Sequence, residues 1–395
     1  MDRRTFLQRG ALATAAFTTM GSAFWQRAFA APAEPGDGPY GPLQPADANG
    51  IMLPEGFTSR VIARAGVAVV GTAAAAPYLW HIFPDGGATF ETGDGGWVYV
   101  SNSEVPNVAL GGAGAIRFND DGAIHSAYRI LDGTRNNCAG GPTPWGTWLS
   151  CEETSNGLVY ECDPLGVEAA VEHPALGSFQ HEAAVVDPVL GHVYLTEDQS
   201  TGLFYRFTPA DFPSTSPDLT AGTLEGMIVH TDGTVAWQAI PDPSGTTGGA
   251  TRSQAPDAFV FSGGEGCWFD APSRTVYFTT KGDNKVWALD VDAQALDVVH
   301  DPSAGGGILS GVDNCMVSRS GDLFVAEDGG SLDIVLITPD RVIAKMLTVT
   351  GQLHAASEIA GPAFSPDGSR LYFSSQRGAG VGITFEVSGP FRTSS

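Results

Sequence analysis

Short apolar segments separated by turn-forming residues dominate the chain, and a helical periodicity of hydrophobic residues is almost absent. The segments are rich in Val, Tyr, Phe and Thr, and the turns between them contain Gly, Asp, Pro or Ser; the chain holds 51 glycines and 26 prolines. Apolar runs of this length between such turns are typical of β-strands. The pattern therefore predicts an all-β protein.

One of these segments recurs six times. The copies are WVYVSNSE (97–104), TWLSCEE (147–153), HVYLTEDQ (192–199), TVYFTTKG (275–282), DLFVAEDG (322–329) and RLYFSSQR (370–377). Their starts lie close to 50 residues apart, except between 192 and 275, where a Pro-, Ser- and Gly-rich segment (207–257) intervenes. A period in the forties to fifties is typical of β-propeller blades. We expect one six-bladed propeller over residues 31–395, with 207–257 as a loop-rich insertion.

A second extended segment precedes each copy. In a propeller blade the first strand is innermost, and antiparallel pairing brings its start beside the end of the second strand. Polar residues at these two places should therefore share one rim around the central channel. The starts offer Asp85, Cys138, His181, Glu182, Glu265, Cys267, Asp313 and Asn314, and the ends offer Glu104, Cys151, Glu152, Glu153, Glu197, Asp198, Lys281, Glu327, Asp328 and Arg377.

Carboxylates dominate this predicted rim. They would repel one another strongly unless cations lay between them. Carboxylate and amide oxygens suit Ca²⁺, whereas a thiolate among them indicates a transition metal such as iron. Lys281 and Arg377 are the cationic residues at the predicted strand ends, where an anionic substrate would need them.

The five cysteines divide into two kinds. Cys138 opens a predicted strand beside Gly140 and Gly141, where the backbone can approach an ion closely. Buried thiols or a disulfide are the simpler interpretation of the others, which are Cys151, Cys162, Cys267 and Cys315.

The charge of the chain limits its partners. The formal net charge is −24, and because the first thirty residues hold one acidic residue and four arginines, the rest of the chain carries −27. No run of Lys or Arg is present, which argues against binding to nucleic acid or to an anionic membrane surface.

The first thirty residues have the layout of a cleavable export signal. Arg3 and Arg4 precede Phe6, a weakly apolar run follows, and the stretch ends in Ala28-Phe29-Ala30. This layout indicates twin-arginine export, and the apolar run is too interrupted for a stable membrane anchor. We expect a monomeric periplasmic or secreted protein carried by the twin-arginine translocation machinery, which often exports proteins already loaded with a cofactor.

Two long motifs resemble the PhoX-type alkaline phosphatases, and the similarity extends along nearly all of the mature chain. They are NCAGGPTPWGTWLSCEE (137–153) and FQHEAAVVDPVLGHVYLTEDQSTGLFYRF (179–207). The resemblance implies a propeller hydrolase in which ferric iron and calcium hold a phosphate monoester. It further implies Cys138 as the thiolate ligand of iron and Glu153 and Glu182 as iron or bridging carboxylates.

The resemblance also implies that Glu197, Asp198, Glu327 and Asp328 belong to the iron and calcium shell. Asp313 and Asn314 are candidate ligands because of their rim position. Lys281 or Arg377 would hold the phosphate through charge-assisted hydrogen bonds. Metal ions would activate an oxygen nucleophile without a Ser or Cys nucleophile, and the chain has no G-x-S-x-G elbow and no P-loop.

One position departs from the family pattern, since Ser103 stands where the resemblance leads us to expect His. Two other functions remain open on the sequence. One is a Ca²⁺-dependent lactonase or esterase, and the other is a propeller that binds a partner while its metals are structural. Cys138 separates them, because an iron centre would use a thiolate and a calcium lactonase would not.

Overall fold

The computed structural model describes residues 31–71, 77–304 and 307–393. The predicted export signal lies outside the described residues. The helices of the described chain are short 3-10 turns: Pro174–Leu176, Thr251–Gln254, Pro302–Ala304, Gln352–His354 and Gly378–Gly380. Within these ranges, no helix has the length and apolar character needed to cross a membrane.

The strands before the first blade come from the N-terminal part of the described chain. They are β1 (Glu34–Pro35), β2 (Ile51–Met52), β3 (Thr58–Arg64), β4 (Ala68–Val69) and β5 (Tyr78–Leu79). β4 and β5 pair with each other, and β1, β2 and β3 join blades formed much later in the chain.

Six sheets form the blades of a propeller. Blade 1 holds β6 (Pro84–Glu91), β7 (Trp97–Ser103), β8 (Gly112–Phe118) and β9 (Ile124–Leu131). Blade 2 holds β10 (Asn137–Pro142), β11 (Trp148–Glu152), β12 (Val159–Cys162) and β13 (Val171–Glu172). Blade 3 holds β14 (His181–Val186), β15 (Val193–Glu197), β16 (Phe204–Pro209), β17 (Gly222–Val229) and β18 (Val235–Ala239).

The second half of the chain builds three further blades. Blade 4 holds β19 (Gly264–Asp270), β20 (Thr275–Thr280), β21 (Lys285–Asp290) and β22 (Ala295–His300). Blade 5 holds β23 (Val312–Val317), β24 (Leu323–Glu327), β25 (Asp333–Ile337) and β26 (Val342–Val349), and β1 and β2 pair with β26. Blade 6 holds β27 (Ile359–Phe364), β28 (Arg370–Ser375) and β29 (Ile383–Ser388), and its fourth strand is β3.

The six blades close into a ring. The first strands of successive blades are neighbours, and β27 of blade 6 lies against β6 of blade 1. Blade 6 combines both ends of the chain, because β3 pairs with β29 from Arg64 opposite Ile383 to Thr58 opposite Ser388. Each recurring sequence segment forms the second strand of a blade. The predicted all-β, six-bladed propeller is therefore confirmed.

Glycine allows the innermost strands to approach closely around the channel. A Cβ atom on Gly86 would lie 2.5 Å from the Cα of Ala139 in the next blade. A Cβ on Gly266 would lie 2.5 Å from the backbone nitrogen of Cys315. These separations are shorter than any non-bonded carbon contact, so only glycine fits at these two positions.

Aromatic side chains fill the space between blades. Phe204 of blade 3 stacks on Phe278 of blade 4 with ring centroids 4.1 Å apart, and Tyr99 of blade 1 stacks on Tyr372 of blade 6 at 5.0 Å. All four rings are fully buried. Burial of this apolar area fixes the positions of the blades and hence of the rim that they share.

The segment 207–257 differs from the expected loop-rich insertion. It contributes β17 and β18, and β18 pairs along its whole length with the second part of β17, from Glu225 opposite Ala239 to Val229 opposite Val235. The short apolar run at the end of GTLEGMIV (222–229) favours a strand, whereas Pro, Ser and Gly dominate only the parts on either side. Blade 3 consequently has five strands.

Candidate metal centre

A β-bulge interrupts the innermost strand of every blade close to its first residue. The register against the second strand shifts between Pro84 and Gly87 in β6, and equivalent shifts follow at Asn137/Gly140, His181/Ala184, Gly264/Cys267, Val312/Cys315 and Ala360/Ala363. A bulge sets two residues against one and redirects their side chains. In blades 1 to 5 the first bulged residue is Asp85, Cys138, Glu182, Glu265 or Asp313.

A second set of polar residues stands directly after the second strand of each blade. In blades 1 to 6 these residues are Glu104, Glu153, Asp198, Lys281, Asp328 and Gln376. Antiparallel pairing places both sets at the same end of the channel, as the sequence predicts. Here "the rim" denotes these residues and the bulged set above, together with Glu358 and Arg377.

The rim contains three groups of donor atoms that are close enough to share a cation. Within each group the ligand atoms lie within 4.8 Å of one another. The groups are Cys138 with Glu153 and Glu182; Glu182 with Glu265 and Asp313; and Asp85 with Glu104 and Glu358. Glu182 therefore belongs to two groups and links blade 2 to blades 4 and 5.

Glu182 is buried without a partner. Its exposed fraction is zero, and neither carboxylate oxygen has a hydrogen-bond partner. Burial, together with the charges of Glu265 and Glu153, raises the pKa of Glu182 well above its usual range. A buried unpaired carboxyl group is costly, so this position favours a bound cation.

Cys138 lies beside the same carboxyl group. Its thiol is 3.6 Å from Oδ2 of Asp85, and burial followed by the charges of Asp85 and Glu182 raises its pKa well above the usual range. Without a cation the sulfur therefore holds its proton, and a bound transition metal would displace that proton. Cys151, by contrast, is buried in an apolar cluster with Leu149 and Val159.

Asp198 extends the group that contains Cys138, through its contact with Glu153. The two carboxyl groups share a hydrogen bond, and the Gln180 amide donates to Oε1 of Glu153 at 3.4 Å. Burial first, and then the charges of Asp198 and Glu104, raise the pKa of Glu153 to about 8. Burial likewise raises the pKa of Asp313, to about 7, against the opposing effect of Lys281.

Glu197 and Glu327 are not in this cluster, and the ligand role that the sequence predicts for them does not fit their placement. Glu197 accepts hydrogen bonds from the Tyr205 hydroxyl at 2.7 Å, the Leu203 backbone at 3.2 Å and Arg252 at 2.5 Å. Successive side chains of a strand point to opposite sides, so Asp198 faces the rim and Glu197 faces away.

Glu327 repeats the arrangement in blade 5. Its carboxylate accepts hydrogen bonds from the backbone nitrogens of Ser310 at 2.7 Å and Asp333 at 3.3 Å. Glu152 in blade 2 does the same with the nitrogens of Arg135 and Leu158. These glutamates fasten the start of the third strand to the end of the second, which is a structural role.

Asn314 is also occupied by the fold. Its Oδ1 accepts the Gly361 backbone N–H at 2.6 Å, and its Nδ2 donates to Oδ1 of Asp313 at 3.0 Å. These two bonds give Asn314 a positioning role toward Asp313, and its predicted ligand role stays a prediction.

The two predicted cationic residues both lie on the rim. Nζ of Lys281 is 2.5 Å from Asp328 Oδ2 and 3.5 Å from Glu265 Oε1. The longer distance is an ion pair and not a hydrogen bond, which leaves Glu265 Oε1 without a hydrogen-bond partner. Burial would lower the pKa of Lys281, but the surrounding carboxylates outweigh it and raise that pKa.

Arg377 bridges two carboxyl groups of the rim where blade 6 meets blade 1. Its Nη2 is 3.4 Å from both Glu104 Oε2 and Glu358 Oε1. The side chains of Arg377 and Lys281 are 41% and 39% exposed, so each cation also faces solvent. Both can therefore meet an anion that enters from the channel mouth.

Two rim residues, Glu358 and Gln376, are not predicted from the sequence. The Gln376 amide donates to Glu104 at 2.9 Å and also to Asp85. The Glu358 carboxyl group donates to Asp328, and burial followed by this bond raises its pKa to about 10. Blade 6 has Gly361 at its bulge, so its acidic group comes instead from the residue before β27. The one signal in the sequence is that this repeat has no acidic residue at the bulge position, which indicates that a neighbouring residue supplies the carboxyl group.

Ser103, which stands in place of the expected His, points away from the rim. Its hydroxyl donates to the Ile82 carbonyl at 2.8 Å, and the side chain is fully buried. The adjacent residue, Glu104, occupies the rim position of blade 1.

Comparisons with known proteins agree with this architecture. The sequence model of the family described as alkaline phosphatase PhoX matches residues 103–163, 155–294 and 267–378. Among solved structures, Pseudomonas fluorescens PhoX in complex with vanadate, a transition state analogue, has a TM-score of 0.71 and 16% identity, covering 88% of this chain and 97% of that one. The gluconolactonase XC5397 from Xanthomonas campestris has a TM-score of 0.52 and 15% identity, covering 89% and 99%.

No curated protein matches the chain in sequence. At identities of 15–16% the two structures show a shared fold. The family match is a separate finding in sequence, and it spans most of the propeller, from residue 103 to residue 378. The chain belongs to the PhoX family of alkaline phosphatases.

Proposed function

We propose that this protein is an exported, metal-dependent phosphatase that hydrolyses small-molecule phosphate monoesters at the rim, with ferric iron and calcium as its metals. The observation that carries the proposal is the Glu182 carboxyl group, which is fully buried, has no hydrogen-bond partner and lies between two groups of possible ligands. Membership of the PhoX family supplies the type of reaction.

The donor atoms of the rim fit the two metals. Cys138, Glu153 and Glu182 combine a thiol with carboxyl groups, a donor set that suits iron. Asp85, Glu104 and Glu358 offer oxygen alone, as Ca²⁺ prefers. We assign the first group to iron and the second to calcium, with Asp198 and Asp328 as their neighbours.

The proposed metals would polarise the phosphoryl oxygens and supply an oxygen nucleophile. The chain itself would bind and orient the ester. Arg377 can donate two parallel hydrogen bonds to a phosphoryl group, and the carboxyl groups of Glu104 and Glu358 orient its guanidinium. Lys281, held by Asp328, would contact the phosphoryl group from the neighbouring part of the rim.

Export of the folded protein by the twin-arginine machinery belongs to the same proposal, with a monomeric periplasmic or secreted product. The support for this route is the pair Arg3 and Arg4 near the start of the chain. Replacing both with Lys should leave the protein in the cytoplasm, as measured by fractionation and immunoblotting. Undiminished export of that variant would contradict the assigned route.

The activity is tested with p-nitrophenyl phosphate, bis(p-nitrophenyl) phosphate and a δ-lactone on protein purified without chelator. We expect hydrolysis of the monoester far above that of the other two substrates. Cys138→Ala should abolish the monoesterase activity, whereas Cys151→Ala, which alters a packed thiol of the same blade, should keep it. Preferred hydrolysis of the lactone by iron-free protein would establish the calcium lactonase instead.

A further inference from the structure

Blade 4 breaks a pattern that four other blades follow. The first residue after the second strand is acidic in blades 1, 2, 3 and 5, where it is Glu104, Glu153, Asp198 or Asp328. In blade 4 the same position holds Lys281. Replacing a carboxylate with an ammonium group raises the local charge by two units, which is the charge of one divalent cation.

The choice of lysine here is unusual for this chain. The sequence contains three lysines, Lys281, Lys285 and Lys345, against 44 acidic residues. Lys285 begins β21, two strands outward from the bulged strand β19, and pairs with Asp283 and Asp301 at 3.7 and 3.4 Å. Lys281 alone among the three occupies a repeated rim position.

The contacts of Lys281 reach into the ligand groups. Its Nζ lies 2.5 Å from Asp328 and 3.5 Å from Glu265. Glu265 shares a group of donor atoms with Glu182 and Asp313, and all three of these side chains are buried. The ammonium group thus stands beside the carboxylates that would otherwise need a further metal ion.

We propose that Lys281 is a built-in counter-ion that replaces one bound divalent cation in the sector of the rim formed by Glu265, Asp313 and Asp328. The inference rests on the proposed function, in that it assumes a metal-binding rim. A lysine ammonium is a compact charge with three hydrogen-bond donors. The ammonium group of Lys281 contacts Asp328 directly, forms an ion pair with Glu265 and is partly exposed, so it can also contact a phosphoryl oxygen.

The test is a calcium count that does not depend on activity. Wild type, Lys281→Glu, Lys281→Met and the matched control Lys285→Met would be purified in calcium, exchanged into a calcium-free buffer and titrated with calcium by calorimetry. Bound metal would also be counted by mass spectrometry before the exchange. Lys281→Glu and Lys281→Met should each bind one calcium ion more per chain than wild type, and Lys285→Met should equal wild type.

The two Lys281 variants protect the test against misfolding, because Lys281→Met removes the charge without adding a carboxylate. Thermal melting in calcium identifies which variant is folded. A folded Lys281 variant with the calcium count of wild type would overturn the inference. A wild-type protein without iron or calcium would instead refute the proposed function. In that case the number of calcium ions bound by the Lys281 variants, compared with the number bound by wild type, would still decide whether the inference holds.

Discussion

The rim has two sides that share one backbone frame and differ in how their charge is balanced. The thiolate side consists of Cys138, Glu153 and Glu182 in blades 2 and 3. The cationic side consists of Lys281, Gln376 and Arg377 in blades 4 and 6. On the thiolate side Glu182 has no partner, whereas the cationic side donates to Glu104, Asp328 and Asp85.

This difference shows what the repeated bulge does and does not determine. In blades 1 to 5 the bulge brings a side chain to the channel mouth, and the residue type decides whether that sector needs an external cation. Carboxylates next to Lys or Arg are neutralised within the protein. Carboxylates next to a thiol are not, and such a site is where a transition metal would bind.

The largest predicted effect is the loss of the thiolate side. Cys138→Ala or Glu182→Gln should remove iron and lower kcat for p-nitrophenyl phosphate by at least about 100-fold, because a metal contributes several kcal/mol of transition-state stabilisation. Visible absorption from thiolate-to-iron charge transfer should disappear in Cys138→Ala. Cys151→Ala is the control, and loss of iron from it would contradict the division between the two cysteines.

The next effect concerns pH. In the chelated protein, burial raises the pKa of Glu153 to about 8 and that of Asp313 to about 7, each above its value in the unfolded chain. The folded protein then binds more protons than the unfolded chain at intermediate pH. The stability contributed by these two groups is complete below about pH 4 and is lost as the pH rises through 7 to 8.

The melting temperature of chelated protein should therefore fall between pH 5 and pH 9, and added iron and calcium should reverse the fall. Differential scanning fluorimetry at both pH values, with and without metal, measures this. Equal melting temperatures of the chelated protein at pH 5 and pH 9 would show that Glu153 and Asp313 do not have raised pKa values in the folded protein, and would contradict this account of their burial.

A smaller effect is predicted on the cationic side. Arg377→Met should raise KM for p-nitrophenyl phosphate about tenfold, since a charge-assisted hydrogen bond contributes roughly 1.5–3 kcal/mol, and should leave iron content unchanged. Arg117→Met, which alters the exposed pair with Asp94, is the control. Loss of iron from Arg377→Met would contradict the claim that the cationic side binds the substrate and the thiolate side binds the metal.

The smallest effect should come from the glutamates that face away from the rim. Glu197→Gln weakens hydrogen bonds to Tyr205 and Arg252 and should cost about 1–3 kcal/mol of unfolding free energy without changing bound metal. Asp198→Asn, one residue further, should lower metal content with little effect on stability. Chemical denaturation and metal analysis of both variants measure these effects. Loss of metal from Glu197→Gln, with loss of stability in Asp198→Asn, would contradict the assignment of which residue faces the rim.

The sequence predicted the propeller and the positions of Cys138, Glu153 and Glu182 on one rim, because the strand repeats are long and evenly spaced. It could not decide which member of Glu197-Asp198 or Glu327-Asp328 faces the channel. That choice depends on where the second strand ends relative to the first, and a shift of one residue reverses every side chain.

Glu358 and Gln376 illustrate a different limit. They enter the rim because blade 6 has Gly361 at its bulge, and their hydrogen bonds to Asp328 and Asp85 join residues far apart in the chain. No local pattern encodes such a contact. Lys281 could be located from the repeat alone, but its contact with Glu265 required the neighbouring strands.

The most direct test of the central claim is metal analysis of protein purified without chelator, combined with its visible spectrum. The proposed thiolate side predicts both iron and calcium, a charge-transfer band, and loss of the iron and the band in Cys138→Ala. A colourless, iron-free protein with full phosphatase activity would contradict the claim.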